Sequence, residues 1–280
     1  MLMDNRPIGV FDSGVGGLTT VKELHKILPG ENIVYFGDTG RVPYGTRSRQ
    51  TIQKYAAQAI HFLTSFDVKA IIAACNTVSA NLPEKDAADL CGELPYIGAV
   101  LPAARSACAI SQGGKIGVIA TPASIRSGAY NKAVRSIRPS AQVFGNAGPL
   151  LVPLVENGLT DIDNQITRLA VRMYLEPLLR EKVDTLILGC THYPIICDII
   201  NDEMNYTAAI IDSGAAAARE AQVLLCQLDL LSEQEKGRTA YYVTDSVENF
   251  AAVAKNFLFE EIEKDSRFVD ISQIEISETN

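Results

Sequence analysis

The sequence predicts an α/β protein: two pseudo-symmetric parallel-sheet domains, helices on both faces of each sheet, and an active site in the cleft between them. Three observations carry that expectation. Short apolar runs alternate with longer helical patterns along nearly the whole chain, the grammar of parallel sheets. The grammar also starts twice: Ile8-Gly9-Val10 and Ile116-Gly117-Val118 lie 108 residues apart, and Cys75 and Cys190 lie 115 apart. Those offsets agree within a loop's length, so the chain reads as a diverged tandem repeat of about 110 residues. Finally, the apolar runs stop in tight turns, which places chemically useful side chains at the carboxyl ends of strands.

In chain order, Ile8 to Phe11 is a strand, Asp12-Ser13-Gly14-Val15-Gly16-Gly17 a glycine turn, and the following residues a helix through Leu24 and Leu28 that stops at Pro29-Gly30. Ile33 to Phe36 is a second strand, and Gly37 to Gly45 a loop dense in turn residues. Ser48 to Phe66 reads as a long helix, Ala70 to Ala74 as a strand delivering Cys75-Asn76-Thr77, and the next stretch as a helix toward Leu90 before a strand at Tyr96 to Val100. The second round has strands at Lys115 to Ala120 and Gln142 to Phe144, a helix from Asp161 to Arg180, and a buried strand at Thr185 to Leu188. That strand ends at Gly189-Cys190-Thr191-His192, with Pro194 opening a helix, and Ala208 to Ile211 closes the round. A strand at Tyr241 to Thr244, a helix from Val247 to Phe259 and a strand at Phe268 to Ile271 follow, and the polar Ser272 to Asn280 is expected to fray.

At 280 residues with 47% hydrophobic content, the chain can bury sizeable cores. No apolar stretch approaches the roughly 20 residues of a membrane span, and the N-terminus lacks a cationic start with an apolar signal core. A cytoplasmic location is therefore expected, with all six cysteines reduced. The 33 acidic against 25 basic residues leave a net negative surface without a dense Lys/Arg cluster, which argues against nucleic acid as the primary partner.

Two thiols, Cys75 and Cys190, share one local setting: the end of a strand at the start of a helix. A free thiol with a pKa of about 8.5 is a poor base at neutral pH, and a helix N-terminus or a neighbouring cation corrects this. His192 stands two residues beyond Cys190, and Asp12, at the end of the neighbouring strand, is placed to relay the proton of Cys75. Helix N–H groups at these turns, with Ser13, Asn76, Thr77 and Thr191, offer what an amino-acid carboxylate and ammonium need. Two bases on opposite faces of a small acid suggest stereoinversion, one thiolate removing the α-proton while the opposing thiol delivers another.

Blander readings compete with each of these. Cys91, Cys108, Cys197 and Cys226 read as small apolar packing residues, and His25 and His61 as surface or packing residues. Gly14-Val15-Gly16-Gly17 is neither a GxGxxG nor a Walker loop, so phosphate binding is disfavoured. A zinc site at Cys190 and His192 lacks any accompanying CxxC or HExxH. From pattern alone, Asp38 reads as a turn cap and Glu156 as a solvated helix residue. A Cys-His thiol hydrolase would use Cys190 and His192 but leave Cys75 without a role. A two-lobed amino-acid-binding protein would not need paired thiols. A pyridoxal-phosphate racemase needs a Schiff-base lysine, and no lysine stands near these turns.

Four stretches in order, GVFDSGVGGL (Gly9 to Leu18), YFGDTGRVPYG (Tyr35 to Gly45), AACNT (Ala73 to Thr77) and LGCTHYP (Leu188 to Pro194), resemble the signature set of bacterial glutamate racemases. The resemblance implies a cofactor-independent enzyme that interconverts L- and D-glutamate and supplies D-glutamate for peptidoglycan, with aspartate racemase as the nearest rival. By position, Cys75 resembles the thiol that acts on D-glutamate and Cys190 the one that acts on L-glutamate. Asp12 and His192 resemble their assisting groups, with Glu156 and Asp38 as auxiliary acids. Ser13, Pro43, Tyr44, Gly45, Asn76, Thr77, Thr121 and Thr191, together with Asp12 and His192, resemble the substrate-binding positions. The resemblance also implies a homodimer and a C-terminal segment that returns to the first domain, dividing the chain into 1–99 plus 213–280 and 100–212.

Overall fold

The computed structural model describes residues 4–258, 261–271 and 274. Among them, ten strands form two wholly parallel sheets. The first has the order β10-β9-β2-β1-β3-β4, built from β1 (Ile8–Asp12), β2 (Ile33–Gly37), β3 (Ala70–Ala73), β4 (Tyr96–Gly98), β9 (Thr239–Val243) and β10 (Ser266–Phe268). The second has the order β6-β5-β7-β8, from β5 (Lys115–Ala120), β6 (Gln142–Ala147), β7 (Thr185–Gly189) and β8 (Ala209–Asp212). The run β2-β1-β3-β4 and the run β6-β5-β7-β8 have one topology, so the repeat read from spacing is a repeat of fold. β1, β2, β3 and β7 are buried along their whole length, which explains continuous apolar runs instead of alternating ones.

The C-terminal strands extend the first sheet, β9 pairing with β2 from Ile33↔Thr239 to Gly37↔Val243 and β10 lying outside it. The helix Ser213–Gln227 packs both on Leu18–Ile27 and on Val100–Ile110, and so runs along the junction of the two halves. Lys69, fully buried, ties this return in place: its ammonium meets Glu31 at 2.5 Å and donates to the carbonyls of Asp4 and Leu230, both at 2.7 Å.

Several boundaries differ from the sequence reading for local reasons. The helix expected to run from Asn76 toward Leu90 is two helices, Asn76–Asn81 and Glu84–Cys91, because Pro83 holds Leu82 extended. The helix expected from Asp161 starts at Gln165, where the Asn164 side chain accepts from Thr167 N–H at 3.0 Å and caps it. The strand expected at Phe268 to Ile271 lies at Ser266–Phe268, and the one at Tyr96 to Val100 ends at Gly98, where a helix follows from Val100. A 3₁₀ turn, Tyr193–Ile196, precedes the helix expected at Pro194, which runs Cys197–Glu203. Except for Ile274, the tail expected to fray lies outside the described residues. All six cysteines are free, but Cys226, expected to pack, is exposed.

Candidate active site

Because both sheets are parallel, all their functional turns emerge at carboxyl ends, and these ends meet around one cavity of about 280 Å³. Ser13 follows β1, Pro43-Tyr44-Gly45 belong to the loop after β2, and Cys75-Asn76-Thr77 follow β3. The second half contributes the equivalents: Thr121 after β5, Gly148 after β6, and Cys190-Thr191-His192 after β7. Both sulfurs line this single cavity, and the two halves are held together around it by direct hydrogen bonds. Thr77 Oγ1 meets Thr121 Oγ1 at 2.9 Å, Ala123 N–H donates to Gly45 O at 2.9 Å, and Thr19 Oγ1 donates to Thr191 O at 3.0 Å.

The glycine turn has a steric purpose. A Cβ on Gly16 would stand 2.2 Å from Thr191 Oγ1 and 2.5 Å from the His192 ring, and one on Gly17 would stand 2.5 Å from Asp12 Cβ. The turn is bare so that the first half can press against the Cys190 turn of the second.

Cys75 is the N-cap residue of Asn76–Asn81, and its sulfur lies 3.5 Å from Ser13 Oγ. Burial pushes its thiol up to about 12, the nearby Asp12 charge adds to the rise, and the Ser13 and Val78 N–H groups oppose it only in part. The helix start therefore does not lower this thiol as the sequence suggested, because desolvation outweighs it. Asp12 is buried, accepts from Gly14 N–H at 2.9 Å, and has its other carboxylate oxygen unpartnered. Burial raises its carboxyl above the usual range, with the His192 charge opposing. Asp12 does not line the cavity; it sits behind the Cys75 side of the wall.

The Cys190 side is built differently. Its sulfur lies 3.9 Å from His192 Nδ1, and His192 Nε2 lies 2.9 Å from Glu156 Oε1. Burial works against a charge on the ring, but the contacts with Cys190 and Glu156 win and raise His192 to about 10, so the ring is protonated at neutral pH. Phe257, from the C-terminal helix Val247–Leu258, meets the ring edge-on with centroids 5.6 Å apart. Glu156 ends the helix Leu151–Glu156 and lines the cavity with Val152 and Pro153, so it is more than the solvated residue its pattern suggests.

Asp38 is a turn cap of an unusual kind: fully buried, it accepts from Arg41 Nε at 2.6 Å, from Thr244 Oγ1 at 2.8 Å and from the Tyr44 hydroxyl. It does not line the cavity, and holds the Pro43-Tyr44-Gly45 wall from outside. Sequence reasoning missed Tyr130 and Ser213, whose hydroxyls both accept from Asn76 Nδ2 at 2.8 Å. No local signal marks them, since these partners stand 54 and 137 residues from Asn76. Val152 and Pro153 were findable, being one helical turn from Glu156. Among the described residues no group of three or more His, Cys, Asp or Glu side chains is placed to hold a metal ion.

Residues 8–221 match the family model described as Asp/Glu/Hydantoin racemase. The chain is similar to the glutamate racemase of Streptococcus pneumoniae serotype 19F (strain G54), 44% identical over 262 residues that cover 93% of this chain and 97% of the relative. Among solved structures it is similar to the glutamate racemase of Francisella tularensis subsp. tularensis SCHU S4 in complex with D-glutamate, with a TM-score of 0.90, 39% identity, and coverage of 97% of this chain and 100% of that one. It is also similar to a glutamate racemase isoform of Bacillus anthracis, with a TM-score of 0.90, 37% identity and coverage of 95% and 98%.

Proposed function

This chain belongs to the Asp/Glu/Hydantoin racemase family, and from that premise we propose that it interconverts L- and D-glutamate by a two-base mechanism without a cofactor. The observation that carries the proposal is the pair of thiols, delivered by equivalent strand ends of the two half-folds into one small cavity. Cys190 as thiolate takes the α-proton of L-glutamate, leaving the electron pair on Cα in conjugation with the carboxylate. The Cys75 S–H then gives its proton to the opposite face and becomes the thiolate that acts on D-glutamate. His192, held by Glu156, stabilises negative charge on Cys190. Asp12, whose charge is felt at Cys75, would take up or return the Cys75 proton.

Hydroxyls and amides of Ser13, Asn76, Thr77, Thr121 and Thr191, with the Pro43-Tyr44-Gly45 wall, supply the donors and acceptors for the carboxylates and ammonium. The relatives' names and the D-glutamate bound to the Francisella protein support glutamate over aspartate. D-Glutamate made this way would feed peptidoglycan synthesis in the cytoplasm, and the enzyme would act as a homodimer. No helix among the described residues is long and apolar enough to cross a membrane. The domains would divide as 1–99 with 213–280 and as 100–212.

The Cys190–His192–Glu156 chain has the makings of a thiol hydrolase, and the placement of Cys75 in the same cavity favours racemisation over it. Each enantiomer of glutamate and of aspartate, incubated with purified protein in D2O and followed by NMR at the α-hydrogen, tests the proposal. Deuterium should enter glutamate with inversion and aspartate far more slowly. Folded protein that exchanges neither acid would refute it.

A further inference from the structure

Asn76 lies directly after Cys75, and its side chain crosses into the other half of the molecule. Its Nδ2 donates to Tyr130 Oη and to Ser213 Oγ, each at 2.8 Å, and Ser213 Oγ in turn donates to Leu188 O at 2.7 Å. Leu188 is two residues before Cys190, and the Tyr130 ring lies under the intervening Gly189, where a Cβ would stand 3.2 Å from Cε2. The orientation of the amide follows from this chain: the Ser213 proton is spent on a carbonyl, so its oxygen is left to accept. All three residues are buried. The Tyr130 ring belongs to the core of the second half, but its hydroxyl and that of Ser213 face the amide, and a buried amide facing two hydroxyls is held far more narrowly than an apolar contact would be.

We propose that Asn76, Tyr130 and Ser213 form a clasp that sets the gap between the two thiol-bearing turns, with Tyr130 and Ser213 as positioning residues for the transfer of the proton across the substrate. The clasp rests on the two-base reading. It is the direct hydrogen-bonded route from the Cys75 turn to the end of β7, and it runs beneath the cavity: Tyr130 and Ser213 do not line the cavity, while Asn76, Cys75 and Cys190 do. The Tyr130 hydroxyl lies within electrostatic reach of both sulfur positions.

A carbanion made by one thiolate has two fates: protonation by the opposing thiol, which inverts it, or return by the first. If the gap opens, delivery slows, the first thiol has time to trade its proton with solvent, and return then labels the unreacted substrate. A displacement on the scale of 1 Å costs about 10²-fold in rate for a reaction that depends on alignment.

The test uses Tyr130→Phe and Ser213→Ala in the full-length protein, incubated with L-glutamate and with D-glutamate in D2O. Deuterium in the remaining substrate is read by NMR, and inversion by chiral chromatography. In both variants kcat should fall about 10- to 100-fold with KM changed less than about threefold, and the ratio of substrate labelling to inversion should rise at least about fivefold in both directions. The ratio does not depend on how much of the sample is folded, so a merely structural role would lower both rates and leave it unmoved. A ratio at the wild-type value in either variant overturns the clasp. If the wild type itself labels its substrate faster than it inverts it, the two-base reading fails instead, whatever the variants do.

Discussion

The two thiol turns share a backbone and differ in electrostatics. Cys75 and Cys190 follow the third strand of topologically equivalent sheets, β3 and β7. Behind Cys75 stands a buried carboxylate, Asp12; beside Cys190 stands an imidazolium, His192, anchored by Glu156. Repetition of a fold therefore delivers two thiols to one place without giving them the same surroundings. Burial and Asp12 both resist charge at Cys75, whereas Cys190 has the His192 ring beside it, so on the proposed mechanism the two thiols would start from unlike settings. Enantiomers have equal free energies, so kcat/KM must be the same in both directions. The asymmetry has to show elsewhere, in which half-reaction survives damage and in how each responds to pH.

Removing either sulfur breaks the comparison most severely. Cys75→Ala and Cys190→Ala should each lower racemisation by more than about 10³-fold, the loss expected when an acid–base group is removed outright. Cys75→Ala should still wash deuterium into L-glutamate, and Cys190→Ala only into D-glutamate. Full racemisation by either variant would end the two-base scheme. A smaller effect is expected from Glu156→Gln, about 10- to 100-fold, within the range for a group that assists an acid or base. Without the carboxylate, burial prevails over fewer opposing contacts. The pKa of His192 falls from about 10, and the loss of activity at high pH moves to lower pH. The same ring gives a stability signature. Its pKa is raised from 6.5 to about 10 on folding, so its contribution is complete below about pH 6.5 and vanishes as pH climbs through 10. The Tm difference between wild type and His192→Asn should shrink over that interval, and a difference constant with pH would show the ring to be neutral.

What could be read from sequence follows the range of the interaction. Both sheets, their repeat and the two thiol turns were legible because periodicity and turn chemistry are local, and Cys75, Cys190 and His192 sit beside strand ends that announce themselves. The break at Pro83 is local too, since the proline holds Leu82 extended between two helices. Tyr130, Ser213 and the Phe257 edge on His192 were out of reach, since each meets its partner across the chain with no marker in its own neighbourhood. The rise of Cys75 to about 12 is hidden from the sequence for a related reason: a helix start is visible there, whereas the depth of burial that overrides it is a property of the whole fold. Glycines 16 and 17 belong to the same class. Their spacing invited comparison with phosphate loops, but what they accommodate is the opposite half of the molecule.

Gly16→Ala sharpens the comparison by acting on one side only. The new methyl would meet Thr191 and His192, and forcing extra volume into a packed contact costs about 1–3 kcal/mol. The Cys190 half-reaction, followed as deuterium entering L-glutamate, should slow more than the Cys75 half-reaction. A protein with unchanged Tm and equal losses on both sides would show that the two halves can separate at this turn without consequence.

The mildest prediction is the control for all of these. Asp38→Asn keeps the shape of the buried side chain but removes the charge that pairs with Arg41 and receives the Tyr44 hydroxyl, so the Pro43-Tyr44-Gly45 wall is held less firmly. That wall touches both halves, since Gly45 O accepts from Ala123 N–H, and it contacts neither the Asp12 nor the His192–Glu156 assembly through Asp38. KM should therefore rise about threefold to tenfold, the range of one weakened charge-assisted hydrogen bond, while kcat and the balance of the two half-reactions stay put. A shift in that balance would mean that the wall reaches one thiol preferentially, and the electrostatic difference between the turns would no longer be enough to explain how the two differ.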